Sequence, residues 1–232
     1  MEQKALEYLT GDRLLHMDML EPLRLNEAKV LYAGDDGVLL YHIPGDIYML
    51  SAQSEESAAI ISALIENASL IVLHQPYSID ALMRRFSLTE TMHCHQAVYT
   101  EDVPAPLPDS EADIRPLTMD DLATVLTHYT SISNEDYVKA RIQAGMLGIY
   151  VDNNMAGFIG THPEGTMGLL EVFPQYRRRG LAYQLETAMI KRQLTLGRIP
   201  YAQIKKGNSA SISLNEKLGL KITKDAPVIW LF

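Results

Sequence analysis

Three arginines, a glycine and a small residue stand where an apolar run gives way to a helical pattern: Arg177-Arg178-Arg179-Gly180-Leu181-Ala182. Ahead of them, Met167 to Phe173 is apolar enough for a buried strand, and Pro174 stops it. After them, Leu181, Leu185 and Ala188 follow the i, i+4, i+7 spacing of a helix with one apolar face. A strand that turns sharply into a helix N-terminus offers unpaired backbone N–H groups and the positive end of a dipole. That is an anion site, and phosphate is its usual guest. Gly180 and Ala182 leave no bulky side chain in the approach. The dinucleotide and P-loop glycine patterns are not present. The same residues also fit an ordinary basic turn between a core strand and a helix.

The elements around this loop read as mixed α/β. Asp113–Pro116 is expected as a strand, and Thr118 to Asp121 as a helix start with an acidic first turn. A helix is expected over Asn134 to Gln143. Leu147–Val151 and Ala156–Thr161 suit a hairpin around Asp152-Asn153-Asn154. Beyond the loop come a helix to about Leu196, a strand over Pro200–Lys205 and a helix capped by Asn208-Ser209. Leu214 and Leu218 face inward there, Gly219 ends the helix, and Val228–Phe232 closes as an apolar strand.

The stretch Glu101 to Asp113 carries Pro104, Pro106 and Pro108 among acidic and small residues, and reads as an extended linker. Before it, Lys29–Tyr32 and Gly37–Tyr41 suit a hairpin around Asp35-Asp36-Gly37. A strand over Asp46–Leu50, a helix over Glu55 to Glu66 and a strand over Leu70–Leu73 follow. A helix over Ser78 to Phe86 and a strand over Met92–Tyr99 complete this part. Hairpin, strand, helix, strand, helix and strand therefore recur in both parts. Where the second part has its arginine loop, the first has Ser51-Ala-Gln-Ser-Glu-Glu56, with two acids and no glycine.

Two motifs carry a family resemblance. Arg177-x-x-Gly180-x-Ala182, after the strand end Val172-Phe173-Pro174, resembles the acyl-CoA pyrophosphate loop of the GNAT superfamily of N-acyltransferases. Asn208-x-x-Ser211-x-x-Leu214 with Lys217-Leu218-Gly219-Leu220 is similar to the run that follows the next strand in those enzymes. The fold class implied is α/β, a mixed central sheet flanked by helices. The paired arrangement resembles the glycine N-acyltransferase-like branch. It implies a degenerate GNAT-like N-terminal domain over 1–104, a linker over 105–112 and an acyl-CoA-binding catalytic domain over 113–232.

The resemblance implies direct attack of a primary amine on the thioester of acetyl-CoA or another acyl-CoA, both held at once. Holding them together removes most of the entropic cost of a bimolecular step. Backbone atoms of Leu170 and Val172 would pair with the pantetheine amides. Backbone N–H groups of Arg177, Arg178, Arg179, Gly180, Leu181 and Ala182 would hold the pyrophosphate, and Asn208 and Ser211 would flank the pantetheine arm. The family's usual base position, six residues before Val172, is Thr166 here, and its usual general-acid tyrosine is Asn215. The candidates left for the base are His162, Glu164 and Glu171. His162 and Glu164 also fit plain turn residues. Glu171, in an apolar strand, also fits an edge residue that faces solvent or pairs with an arginine. A non-catalytic acyl-CoA-binding scaffold is the alternative that Thr166 and Asn215 favour, and a protein lysine or N-terminal acetyltransferase is another.

The remaining features set bounds. The chain has 232 residues, 47% of them hydrophobic, enough for one large domain or two small ones. A formal net charge of −9 disfavours nucleic acid as a partner. The resemblance to the glycine N-acyltransferase-like branch implies an amino acid or other small-molecule amine as the acceptor. One cysteine permits no internal disulfide, and no apolar run nears the roughly 20 residues of a membrane span. A soluble cytoplasmic protein without a metal cofactor is expected. His93-Cys94-His95 suits a strand with a buried thiol and a polar face rather than a metal site. The N-terminal half is expected to shape the acceptor pocket, support its neighbour or mediate homodimerisation.

Overall fold

A computed structural model describes residues 1–106, 112–129 and 134–232. The first part of the chain runs α1 (Glu2–Thr10), α2 (Met17–Arg24), β1 (Ala28–Gly34), β2 (Gly37–His42), β3 (Ile47–Ala52), α3 (Glu55–Ser62), β4 (Ile71–Leu73), α4 (Ile79–Phe86) and β5 (Thr91–Val98). The second runs β6 (Asp113–Pro116), α5 (Leu122–His128), α6 (Glu135–Gln143), β7 (Leu147–Val151), β8 (Asn154–Thr161), β9 (Met167–Val172), α7 (Leu181–Thr195), β10 (Tyr201–Lys205), α8 (Ser209–Leu218), β11 (Lys221–Ile222) and β12 (Val228–Leu231). Among the described residues no helix is long and apolar enough to cross a membrane.

Two compact units result: Met1–Val98 with Gln203–Ile212 and Lys221–Phe232, and Tyr99–Ala202 with Ser213–Leu220. Residues 203–212 and 221–232 thus group with the first unit, and 213–220 with the second. β12 lies between β4 and β5, antiparallel to both, so the end of the chain completes the first unit's sheet. Of the expected linker, residues 107–111 lie outside the described residues.

In the first unit the strand order is β1-β2-β3-β4-β12-β5, with β3 and β4 parallel and β11 on β5. Its central strands are apolar at consecutive positions because both faces are covered. Side chains alternate across a strand, so Leu40, Met49, Val72 and Trp230 join Ala5, Leu9 and Met19 on the α1–α2 side. Leu39, Leu50, Ile71 and Ile229 join Ile61 and Leu82 on the other, with α3 and α4. α1 and α2 answer to no element expected from the sequence. Their signal is local: Ala5 and Leu9, four apart and fully buried, form one face of α1.

In the second unit the order is β10-β9-β8-β7-β6, antiparallel except for β9 and β10. The β7–β8 turn has Asp152 and Asn153 at φ 49 and 62, the left-handed pair that a two-residue hairpin needs. A Thr118–Asp121 capping box opens the turn into α5, and the Asn134 side chain accepts from the Tyr137 N–H to cap α6. Val125, Val138, Ile142, Phe158, Leu169 and Phe173 form one core. α7 packs on β7, β8 and β9 through buried Leu185, Met189 and Ile190.

Candidate functional site

The strand-to-helix turn is anchored at Phe173, 3% exposed, whose ring stacks on His128 at 3.7 Å and meets Phe158 edge-on. A 3-10 turn over Pro174–Tyr176 follows. Arg178 and Gly180 then take φ of 60 and 75, which bends the chain into α7. A Cβ on Gly180 would meet nothing within 4 Å, so the left-handed backbone, rather than crowding, calls for glycine. α7 has no side-chain cap and no acid in its first turn. Its first helical bond runs from the Gln184 N–H to the Gly180 carbonyl. The N–H groups of 181–183 are thus left to an outside acceptor. Arg177, Arg178 and Arg179 are exposed around them.

The turn from β3 into α3 in the first unit is built the opposite way. Ser54 and Ser57 form a capping box at the start of α3. Gln75 Oε1 accepts the Ala52 N–H at 2.7 Å, and Glu55 Oε1 accepts the Ser78 N–H at 2.9 Å. The N–H groups of Ala52, Ser54 and Ser57 are thus already used, and Glu55 and Glu56 repel an anion.

β9 has a bulge. Phe158 faces Glu171 while Gly160 faces Gly168, so β9 carries one residue more than β8 over that interval. Leu169 holds the extra turn at φ 47, a conformation that costs a side chain about 1–2 kcal/mol. The β9–β10 register consists of Ala202 opposite Met167. The Phe173 N–H bonds to the Ala156 carbonyl on β8, so alternation turns the polar groups of Val172 to the other edge. On the same alternation Leu170 follows Val172. The Val172 carbonyl accepts from Arg177 Nε at 2.9 Å, and Arg177 Nη2 donates to Glu171 Oε1 at 2.9 Å. Glu171 is therefore the partner of a loop arginine.

His162, Glu164 and Thr166 come together in the β8–β9 turn. The His162 N–H bonds to the Thr166 carbonyl at 2.9 Å, and the Thr166 hydroxyl donates to the Glu164 carboxylate. The Tyr201 hydroxyl donates to the Glu164 carbonyl. Glu164 and Thr166 are 4% and 2% exposed. His162 Nδ1 lies 2.5 Å from the Tyr137 hydroxyl. Its Nε2 lies over Gly168, where a Cβ would approach to 2.6 Å, one residue before the bulge. Burial pushes the imidazole below its ordinary pKa; Glu164 opposes the shift and Arg141 adds to it. Burial and the Glu164 charge push the Tyr137 phenol up. The ring is thus neutral near pH 7, and in the tautomer whose Nδ1–H donates to Tyr137 the lone pair lies on Nε2.

Asn208 and Ser211 belong to the first unit. The Asn208 side chain accepts the Ser211 N–H at 3.1 Å at the start of α8. Asn215, 1% exposed, donates to Glu186 Oε1 at 3.2 Å. Tyr137, Gly168 and Glu186 escaped the sequence patterns. Tyr137 is remote in the chain from the loop. Gly168 had a signal, since glycine inside a strand marks a bulge or a close approach. Glu186 had one too, as an acid between the apolar positions Leu185 and Met189.

The FR47-like protein family matches residues 146–228. No curated protein matches the chain by sequence. A Drosophila protein structure is similar at TM-score 0.65 and 18% identity, over 99% of this chain and 94% of that one. A GCN5-related N-acetyltransferase-like protein from Streptococcus suis is similar at 0.56 and 15%, over 98% and 99%. A GCN5-related N-acetyltransferase from Kribbella flavida is similar at 0.55 and 12%, over 94% and 93%. The chain therefore has the α/β fold of GNAT proteins, as the two motifs implied.

Proposed function

We propose that this protein is an N-acyltransferase that moves an acetyl group from acetyl-CoA to the primary amine of an amino acid or other small molecule. The observation that carries this reading is the uncapped N-terminus of α7, directly after a bulged strand whose second edge is paired at Met167 alone. The Arg177 N–H is bonded to the Pro174 carbonyl, so the N–H groups of 178–182 would take the pyrophosphate, with Arg178 and Arg179 adding charge. The edge of β9 at Leu170 and Val172 would take the pantetheine amides. Asn208 and Ser211 are assigned to flank the arm on the resemblance alone. The capped and acidic turn at α3 supports a first unit without a donor site.

His162 is the base in this reading, because its Nε2 stands beside the bulge and its ring is neutral. The amine nitrogen bonds to the acyl carbon, its proton passes to Nε2, and the C–S bond breaks to release the thiolate, which takes a proton from water. Tyr137 holds the ring, the Glu164 charge favours its protonated form, and Glu171 is occupied by Arg177. kcat/KM should then stay level through neutrality and fall only below the ordinary imidazole value of about 6.5. An acid limb at or above that value would remove His162 from the role. The second reading, an acyl-CoA-binding scaffold, is favoured by Asn215, whose amide is far too weak an acid to protonate a leaving thiolate.

Calorimetry with CoA, alongside free-thiol release from acetyl-CoA over an amine panel, separates these readings. Binding with turnover supports the enzyme, and binding without turnover for any amine supports the scaffold. Gly180→Val forces a β-branched residue into the left-handed region and should weaken CoA by roughly tenfold or more. Unchanged affinity would remove the loop from the site.

A further inference from the structure

Arg177 occupies the edge that the donor's arm requires. Its guanidinium holds the Val172 carbonyl through Nε and the Glu171 carboxylate through Nη2, each at 2.9 Å. Val172 points its polar groups to the edge of β9 away from β8, so the arginine lies along that edge. The Arg177 side chain is 58% exposed and that of Glu171 27%, so the pair can open without unpacking a core. Arg177 comes five positions after Val172 and three before Gly180. One side chain therefore bridges the strand edge and the anion turn.

We infer that the Glu171–Arg177–Val172 contact is a specificity device that makes donor binding depend on a diphosphate. The inference rests on the acyl-CoA reading above. A diphosphate at the start of α7 offers the guanidinium an acceptor with more charge than one carboxylate. Arg177 turns to it and uncovers Val172 for a pantetheine amide. A thioester of free pantetheine brings no phosphate and must displace Arg177 uncompensated. A carrier-protein thioester brings a single phosphodiester and recovers less. The site thereby selects CoA thioesters over both, and the two halves of CoA help each other bind.

The test divides CoA into acetyl-pantetheine and 3′-phospho-ADP and titrates each by calorimetry, alone and with the other present. In the unaltered protein, saturating 3′-phospho-ADP should tighten acetyl-pantetheine by on the order of tenfold, the scale of one partly exposed charge pair with one hydrogen bond. Arg177→Ala should bind acetyl-pantetheine alone that much more tightly and lose the coupling, while 3′-phospho-ADP weakens. Glu171→Gln, which loosens the pair and keeps the arginine, should tighten both probes. Absence of coupling in the unaltered protein overturns the proposal, as does Arg177→Ala leaving acetyl-pantetheine unchanged or weaker. Failure of 3′-phospho-ADP to bind the unaltered protein at all removes the acyl-CoA reading itself, and this device with it.

Discussion

Glu186→Gln is expected to stabilise the second unit by about 3 kcal/mol at pH 8 and to leave it nearly unchanged at pH 4. Glu186 sits on the buried side of α7, 5% exposed. One carboxylate oxygen accepts from Asn215, and the other has no hydrogen-bond partner. Burial raises its pKa from 4.5 to about 7, against a smaller lowering by the Asn215 bond. No charged group enters that balance. The sign follows from proton counting. Between pH 4.5 and 7 the folded state keeps a proton that the unfolded state has released, so stability is full below 4.5 and declines as pH rises through 7. Glutamine keeps the acceptor for Asn215 and cannot ionise, so the decline disappears. Hydrogen exchange of the α7 amides from Leu185 to Ile190, at pH 5 and pH 8, reads the effect. Equal pH dependence in variant and parent would mean that Glu186 ionises freely. The same pair explains why Asn215 is buried at the position where the resemblance expects a tyrosine: its amide is committed to an acid that an apolar helix face cannot leave bare.

Most strands were legible because consecutive or alternating apolar residues have few other uses in a chain of this composition. The turns were legible where their chemistry is local, as with Asp152-Asn153, Thr118 with Asp121, and Asn134. The arginine loop was legible for the same reason: it depends on residue types at fixed offsets, and its uncapped helix start follows from them. The seat of β12 was not. Val228 to Leu231 is apolar at every position, which states that both faces are buried and says nothing about which strands lie beside it. The bulge at Leu169 was hidden because leucine gives no sign of a left-handed backbone. The pairing of Glu171 with Arg177 was legible as one option, since an acid in an apolar strand needs a partner, but which arginine depends on how the loop folds back. His162 and Glu164 read as turn residues or as candidates for the base. They are turn residues, and the turn brings them to the bulge.

Acid is expected to act on the first unit in the opposite sense, destabilising it by about 3 kcal/mol between pH 6.5 and 4. His16 is 5% exposed. Its Nδ1 lies 3.1 Å from the Leu9 carbonyl and its Nε2 2.8 Å from Ser51 Oγ. These two contacts suit a neutral ring, donating at Nδ1 and accepting the Ser51 hydroxyl at Nε2. Burial, and after it the positive charge of His74, whose ring lies 5.5 Å away, lower its pKa to about 4 against the opposing Leu9 bond, Asp18 and Asp12. The unfolded state therefore takes up a proton first as pH falls, and stability present above 6.5 is lost on the way to 4. His74 does not cancel this. Burial works against its proton, but Asp18, bonded to it at 2.8 Å, and the Leu50 carbonyl outweigh that and raise its pKa, so below 6.5 it is protonated in both states. The protein's one tryptophan reports on the event: Trp230 donates to Gln203 at 2.6 Å, and Gln203 donates to Asp18 at 3.0 Å. Urea unfolding followed by Trp230 fluorescence should shift to lower midpoints from pH 7 through 5.5 to 4.5. His16→Gln, whatever its stability at pH 7, should show a shallower slope over that window. A parent slope of zero, or an equal slope in the variant, would place the acid sensitivity elsewhere. With Glu186 acting in the reverse direction, the exchange of α7 and the fluorescence of Trp230 should respond to pH with opposite signs, which no uniform change in net charge would produce.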